Sequence, residues 1–175
     1  MDANVGGRVS YKNAGKTERR GLEFSADTNL GMGFGAFAAY TYLKATFQDP
    51  FFSNGLAVAS GSQIPGVPRS LLYFDLTWRA QNDSGLFAGF EHRRASKVYA
   101  NDINTAFANG YKLTDLRVGI NRDFDPFTVQ VFARANNIFS ERYIGGVAVN
   151  GGNGAFYAPA PERNFLAGVS ASMKF

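Results

Sequence analysis

Seven separate stretches of this 175-residue chain alternate apolar and non-apolar side chains with a period of two. That period belongs to extended strands, whose successive side chains point to opposite faces, so seven strands are predicted and no long helix. In "GLEFSADTNL", Leu22, Phe24 and Ala26 oppose Glu23, Ser25 and Asp27; in "FGAFAAYTYL", Phe34, Ala36, Ala38, Tyr40 and Tyr42 share a face. "SLLYFDLTWR" sets Leu72, Phe74, Leu76 and Trp78 against Leu71, Tyr73, Asp75, Thr77 and Arg79. "GLFAGFEHRR" sets Leu86, Ala88 and Phe90 against Phe87, Gly89, Glu91 and Arg93, and "TDLRVGINR" sets Leu116, Val118 and Ile120 against Asp115, Arg117, Gly119 and Asn121. "FTVQVFARAN" opposes Phe127, Val129, Val131, Ala133 and Ala135 to Thr128, Gln130, Phe132, Arg134 and Asn136. The closing stretch, "NFLAGVSASMKF", puts Phe165, Ala167, Val169, Ala171, Met173 and Phe175 on one face.

The connections alternate too. Short ones fall at Asn29–Gly33, Ala80–Gly85 and Arg122–Pro126, rich in the Gly, Asn, Asp and Pro that tight turns require. Between them lie long ones, Gln48–Pro68, residues 95–110 and Ile144–Glu162. Antiparallel strands running up and down collect every short turn at one end and every long loop at the other, which is the asymmetry of an outer-membrane barrel. Aromatics near strand ends fit two membrane-interface girdles, with Phe34, Trp78, Phe127 and Phe175 beside the short turns and Tyr40, Tyr42, Phe90 and Phe165 nearer the long loops.

The fold class expected is therefore all-β, an antiparallel up-and-down transmembrane barrel. Its apolar faces meet outer-membrane lipid. Its mixed faces line the lumen, with Glu23, Asp75, Arg79, Glu91, Arg93, Asp115, Arg117, Gln130 and Arg134 as the lumen-facing candidates. Burying so many charges in the dry core of a small domain would cost several kcal/mol per unpaired ion, so they are expected to meet water or a polar plug. Residues 1–175 read as one domain.

Other classes find little support. Cysteine is absent, which removes disulfide scaffolds, thiolate metal sites and cysteine nucleophiles. The net charge of +4 is spread along the strands, with Arg19–Arg20 and Arg93–Arg94 the only basic doublets, so no nucleic-acid partner is expected. His92 is the single histidine and falls in phase with the apolar face of its strand. No catalytic group, metal site or cofactor is expected. "GFGAF" and "NGGNG" precede no helix that could offer an N-terminus to a phosphate. The start, "MDANVGG", carries no export signal, so an exported chain would be a processed one or a piece of a longer one.

Five blocks, in order, resemble the C-terminal part of the barrel of TonB-dependent outer-membrane receptors, most closely the ferric-siderophore class. They are "NAGKTERRGLEFSA" (Asn13–Ala26), "IPGVPRSLLYFDLTW" (Ile64–Trp78), "GYKLTDLRVGI" (Gly110–Ile120), "ARANNIFSERY" (Ala133–Tyr143) and "YAPAPERNFLAGVSASMKF" (Tyr157–Phe175). The resemblance implies a bacterial outer-membrane protein, not an enzyme, that imports a ferric siderophore or similar bulky nutrient. It also implies partners through a full-length parent: a plug domain and N-terminal barrel strands missing from this chain, TonB, and the outer-membrane assembly machinery. That machinery would read the last strand, here Phe165, Val169, Ala171, Met173 and Phe175. Arg142, Tyr143, Phe156 and Tyr157 are the ligand-loop candidates.

An odd number of strands cannot close up-and-down on itself, and an open edge in lipid leaves amides unpaired. Either the chain is the last third of a larger barrel, the favoured expectation, or Val5–Asn13 adds an eighth strand and closes a small structural or binding barrel. A soluble β-sandwich binding module, its apolar faces packed together, is the third reading.

Overall fold

The computed structural model describes residues 15–174. Strands β1 (Thr17–Gly31) and β2 (Phe34–Phe47) form the first hairpin, and the loop after β2 carries a small hairpin of β3 (Phe51–Ser53) and β4 (Leu56–Val58). The second long hairpin is β5 (Ser70–Arg79) and β6 (Leu86–Ala95), followed by a loop hairpin of β7 (Val98–Tyr99) and β8 (Phe107–Ala108). Strands β9 (Tyr111–Phe124) and β10 (Phe127–Asn136) make the third. The last loop pairs β11 (Ile144–Val147) with β12 (Tyr157–Pro159), and β13 (Asn164–Met173) ends the described chain.

The long strands form one antiparallel seven-stranded sheet in the order β1-β2-β5-β6-β9-β10-β13. Each is a neighbour of the next in sequence, as an up-and-down meander requires. Each has at least ten residues, enough to cross a bilayer when tilted. Among the described residues β1 and β13 remain unpaired edges, so the sheet is open and does not close into a ring. The proposed eighth strand, Val5–Asn13, lies outside the described residues, as does Phe175. The sandwich reading is corrected by this topology: a sandwich needs two packed sheets, and every long strand here belongs to a single one.

The short turns are stereochemically tight. Between β1 and β2, Gly31, Met32 and Gly33 all take positive φ, and a Cβ on Gly33 (φ +83) would collide with the Arg79 carbonyl. Asn29 closes the same turn by accepting from the Gly31 N–H at 2.8 Å. Short connections therefore fix register, and register fixes which side chains share a face.

Burial divides the molecule. The buried apolar residues, Ala45, Phe47, Val58, Ala95, Ala100, Ala108 and Leu113, all lie in the loop hairpins or in strand ends beside the long loops. Along the strands the apolar face is bare, with Leu22, Phe24, Val118, Val169 and Phe165 between 56% and 76% exposed. On the short-turn side Phe34 packs beside Trp78 at 6.4 Å, level with each other in the register. Phe90, expected nearer the long loops, instead sits mid-strand in β6. There it packs on Phe74 at 6.2 Å and stacks with His92 at 6.5 Å, so it joins a belt within the apolar face and not the upper rim. His92 Nδ1 lies 3.0 Å from the Thr114 hydroxyl, which satisfies its polar edge within that face.

Candidate functional site

On the face opposite the bare apolar one, register aligns three carboxylates in one row. Asp75 of β5 faces Glu91 of β6, which faces Asp115 of β9. Like charges directly opposite repel. The next row sets Arg117 opposite Arg134, and Arg93 lies in the row on the other side. The guanidinium groups reach diagonally into the acidic row, so each repulsion is replaced by attraction. Arg117 meets Asp75 at 2.9 Å and Glu91 at 3.8 Å, Arg134 meets Asp115 at 2.8 Å and Glu91 at 3.2 Å, and Arg93 meets Asp115 at 2.7 Å and Glu91 at 3.1 Å. Three acids and three arginines make a neutral lattice across four strands.

Asp115 anchors this lattice. Its side chain is 3% exposed, and besides two arginines its Oδ1 accepts the Asn137 backbone N–H at 2.7 Å. Asn137 (φ 50) is buried just beyond β10 and makes its own clamp, donating to the Glu141 carbonyl and accepting from the Glu141 N–H at 2.8 and 2.9 Å. The run "ANNIFSER" thus turns the chain away from the sheet while attached to its charged face. Glycines make room beside the lattice: the Arg117 side chain lies over Gly89, the Phe87 ring over Gly119 and the Phe132 ring over Gly168. Aromatic rings laid across strand glycines replace the packing the missing side chains would give.

The remaining lumen-facing candidates are arranged differently. Glu23 lies exposed on edge strand β1, in phase with the lattice but away from it. Arg79 and Gln130 sit nearer the short turns, one and two rows below Thr77 and Arg134 respectively in strand register. In β13, Phe165, Val169, Ala171 and Met173 share one face and pair in register with Ala135, Val131, Val129 and Phe127 of β10.

At the long-loop end, Arg142, Tyr143 and Tyr157 come together around a hollow of about 440 Å³, with Phe107 and Glu162 as further walls. Arg142 is paired to Glu162 at 2.8 Å, and the Tyr143 ring packs on Tyr111 at 4.5 Å. Burial, with Tyr111 beside it, pushes the Tyr143 phenol above its ordinary value, so it stays a neutral donor. Phe156 packs on Tyr157 at 6.0 Å but lines a separate, smaller hollow with Ser53, Asp102 and Asn150.

That second hollow marks a junction that sequence reasoning missed. Asp102 is buried, accepts from Ser53 Oγ at 2.7 Å and Asn150 Nδ2 at 2.8 Å, and its N–H donates to Asn150 Oδ1 at 3.1 Å. Gln63 and Asn104 exchange hydrogen bonds of 2.7 and 2.8 Å. All three long loops are stitched together by these contacts. The available signal was the asparagines: Asn104, Asn137 and Asn150 all take the positive φ that Asn tolerates better than most residues.

A family model described as TonB dependent receptor-like, beta-barrel, matches residues 1–138. The chain belongs to this family. Among solved structures it superposes on the ferric preacinetobactin receptor BauA of Acinetobacter baumannii with a TM-score of 0.72 at 20% identity, covering 89% of this chain and 22% of that one. The siderophore receptor PiuA of the same organism gives 0.73 at 20% identity with the same coverage. The ferric-catecholate import receptor Fiu of Escherichia coli K12 gives 0.69 at 25% identity, over 99% of this chain and 23% of that one. This TonB-dependent receptor barrel region therefore spans less than a quarter of the length of those receptors. Barrels of this family are proteins of the Gram-negative outer membrane, and its open sheet is the fold of one sector of such a barrel.

Proposed function

We propose that this chain is the C-terminal barrel segment of an outer-membrane receptor that takes up a ferric siderophore or a similarly bulky nutrient in a TonB-dependent manner, and that it has no enzymatic role. The observation that carries this reading is the pairing of a bare apolar face with an internally neutralised charged face on one open up-and-down sheet. A soluble sheet buries its apolar face, whereas a barrel wall shows it to lipid and keeps polar groups toward the lumen. The names of the solved relatives, all siderophore or ferric-chelate receptors, support the nutrient class.

In this reading a longer parent supplies the N-terminal barrel strands, a plug and the TonB contact. The lattice of Asp75, Glu91, Arg93, Asp115, Arg117 and Arg134 faces the lumen, together with Glu23, Arg79 and Gln130. The hollow bounded by Arg142, Tyr143 and Tyr157, with Phe156 beside it, meets the ligand from outside. Phe165, Val169, Ala171, Met173 and Phe175 are the residues recognised by the assembly machinery. The test is uptake of radiolabelled ferric siderophores by cells carrying the full-length parent, with and without TonB. Uptake of at least one chelate that disappears without TonB is the expected result, and TonB-independent growth and uptake across a siderophore panel would contradict the reading.

A further inference from the structure

Toward the long loops the apolar face ends in basic side chains, on the side of the sheet opposite the charged lattice. Arg20 of β1 stands directly across from Lys44 of β2, and Arg94 of β6 directly across from Lys112 of β9. All four are exposed and in phase with the apolar face of their own strands. Like charges so placed repel. On the lattice face register also sets arginine against arginine, but carboxylates neutralise them. Here only Arg20 meets an acid, Glu18; among the described residues Lys44, Arg94 and Lys112 form no ion pair.

Strand tilt brings the two pairs to one height. Their centres are three strands apart, about 14 Å at the usual spacing. The Arg94 row passes through Leu72 of β5 to Tyr40 of β2, four residues short of Lys44, an offset of about 14 Å along the strand. A tilt of about 45°, ordinary for strands that cross a bilayer, levels them. The short turns step in the same sense: Phe34, Trp78, Ala88 and Val118 share a row, yet β9 runs six residues further, to Phe124. Each basic residue lies about ten residues from the short-turn end of its strand, which matches the span of about 9–11 residues needed to cross the hydrocarbon.

We propose that this basic line binds the phosphate of an anionic lipid headgroup in the leaflet on the long-loop side. A phosphate seated between Arg94 and Lys112 accepts from both and turns their mutual repulsion into charge-assisted hydrogen bonds. The acyl chains continue over the bare face below, along Leu116 and Val118, which a free phosphate would leave uncovered. The site faces away from the lumen, so a plug inside the barrel leaves it open. The proposal rests on the barrel reading, because only a lipid-facing sheet brings headgroups to this height.

The experiment titrates the full-length parent in nonionic detergent micelles with dioleoyl phosphatidic acid and with dioleoyl phosphatidylcholine, and counts bound lipid by native mass spectrometry. Phosphatidic acid, whose phosphate carries no choline cation, should bind about fivefold more tightly or better, and Arg94→Gln combined with Lys112→Gln should remove most of that preference. Lys97→Gln, an exposed change of the same charge just before β7, should leave it as it was. Equal affinity for the two lipids, or a preference that survives the double variant, overturns the site. Displacement of bound phosphatidic acid by equimolar inorganic phosphate would assign the basic line to free phosphate and overturn the lipid proposal as well. Oxygen relaxation of a spin label on Leu116→Cys in phosphatidylcholine vesicles reports separately on the face below. A label in hydrocarbon without phosphatidic acid preference removes only this proposal, whereas a label in water removes the barrel reading beneath it.

Discussion

The loop end and the strand shafts of this molecule contain similar apolar residues and treat them in opposite ways. At the loop end Phe47, Val58 and Leu113 are sealed by the chain's own hairpins, at 6%, 1% and 3% exposure. Along the shafts Phe24, Val118 and Val169 stand bare on a continuous face. A chain that can bury apolar side chains at one end is not short of the means to do so, and the proposed barrel reading gives the open face a different surrounding medium. In the function proposed above, hydrocarbon takes over the role that packed side chains play in a soluble sheet. The polar groups follow the same division, with shaft charges neutralised on the far face and loop-end polar groups paired in a buried junction.

The largest expected effect breaks the shaft's polar side. Asp115→Ala removes the acceptor for Arg93, Arg134 and the Asn137 N–H together, leaving two guanidinium groups facing Glu91 alone. Removing one partner from a buried ion pair typically costs about 3–5 kcal/mol. The urea midpoint of the full-length parent in micelles should fall accordingly, with Asp115→Asn falling less because an amide oxygen still accepts from Asn137. Next comes the apolar side: Val118→Arg, at mid-sheet on the bare face, should cost about 2–4 kcal/mol in lipid vesicles. In a soluble sheet the same exposed change would be nearly neutral, so folding equilibria of this variant compare the two media directly.

Smaller effects belong to the loop end. Asp102→Ala should lower stability by about 1–3 kcal/mol through its unpaired Ser53 and Asn150 partners. Its sharper readout is hydrogen exchange, which should rise in all three long loops together. Faster exchange confined to residues around position 102 would show that the loops are independent. Least costly is Arg142→Gln, because the Arg142–Glu162 pair is exposed on both sides and such pairs are worth about 1 kcal/mol or less. Thermal unfolding should be nearly unchanged, while binding of the imported ligand should weaken if the neighbouring hollow meets it.

The sheet was legible in the sequence because alternation and turn chemistry are local. Runs such as 71–79 and 127–136 give both the strand and its faces, and β5 and β10 occupy them almost residue for residue. The acid row was visible only as a set of charges. That Glu91 faces Asp115, and that Arg134 reaches both from the next row, depends on register across three strands, which no single segment carries. The loop hairpins went unseen for a related reason. Two- and three-residue strands such as Val98–Tyr99 have no readable period, and they are held by contacts between loops, including the Gly66 N–H to the Tyr99 carbonyl at 2.8 Å. Phe90 stands mid-strand because β6 runs Leu86–Ala95 and places it fifth of ten residues, a height that alternation alone does not mark.

Adjacent residues of β10 test the central claim most directly. Val131 belongs to the bare face and Gln130 to the charged one. Spin labels on Val131→Cys and Gln130→Cys in the full-length parent, reconstituted in lipid vesicles, can be probed by collisional relaxation with oxygen, which concentrates in hydrocarbon, and with a water-soluble nickel chelate. The account predicts that the label at 131 responds to oxygen and the label at 130 to nickel. Nickel access at 131 with oxygen access at 130, or equal nickel access at both, would contradict it.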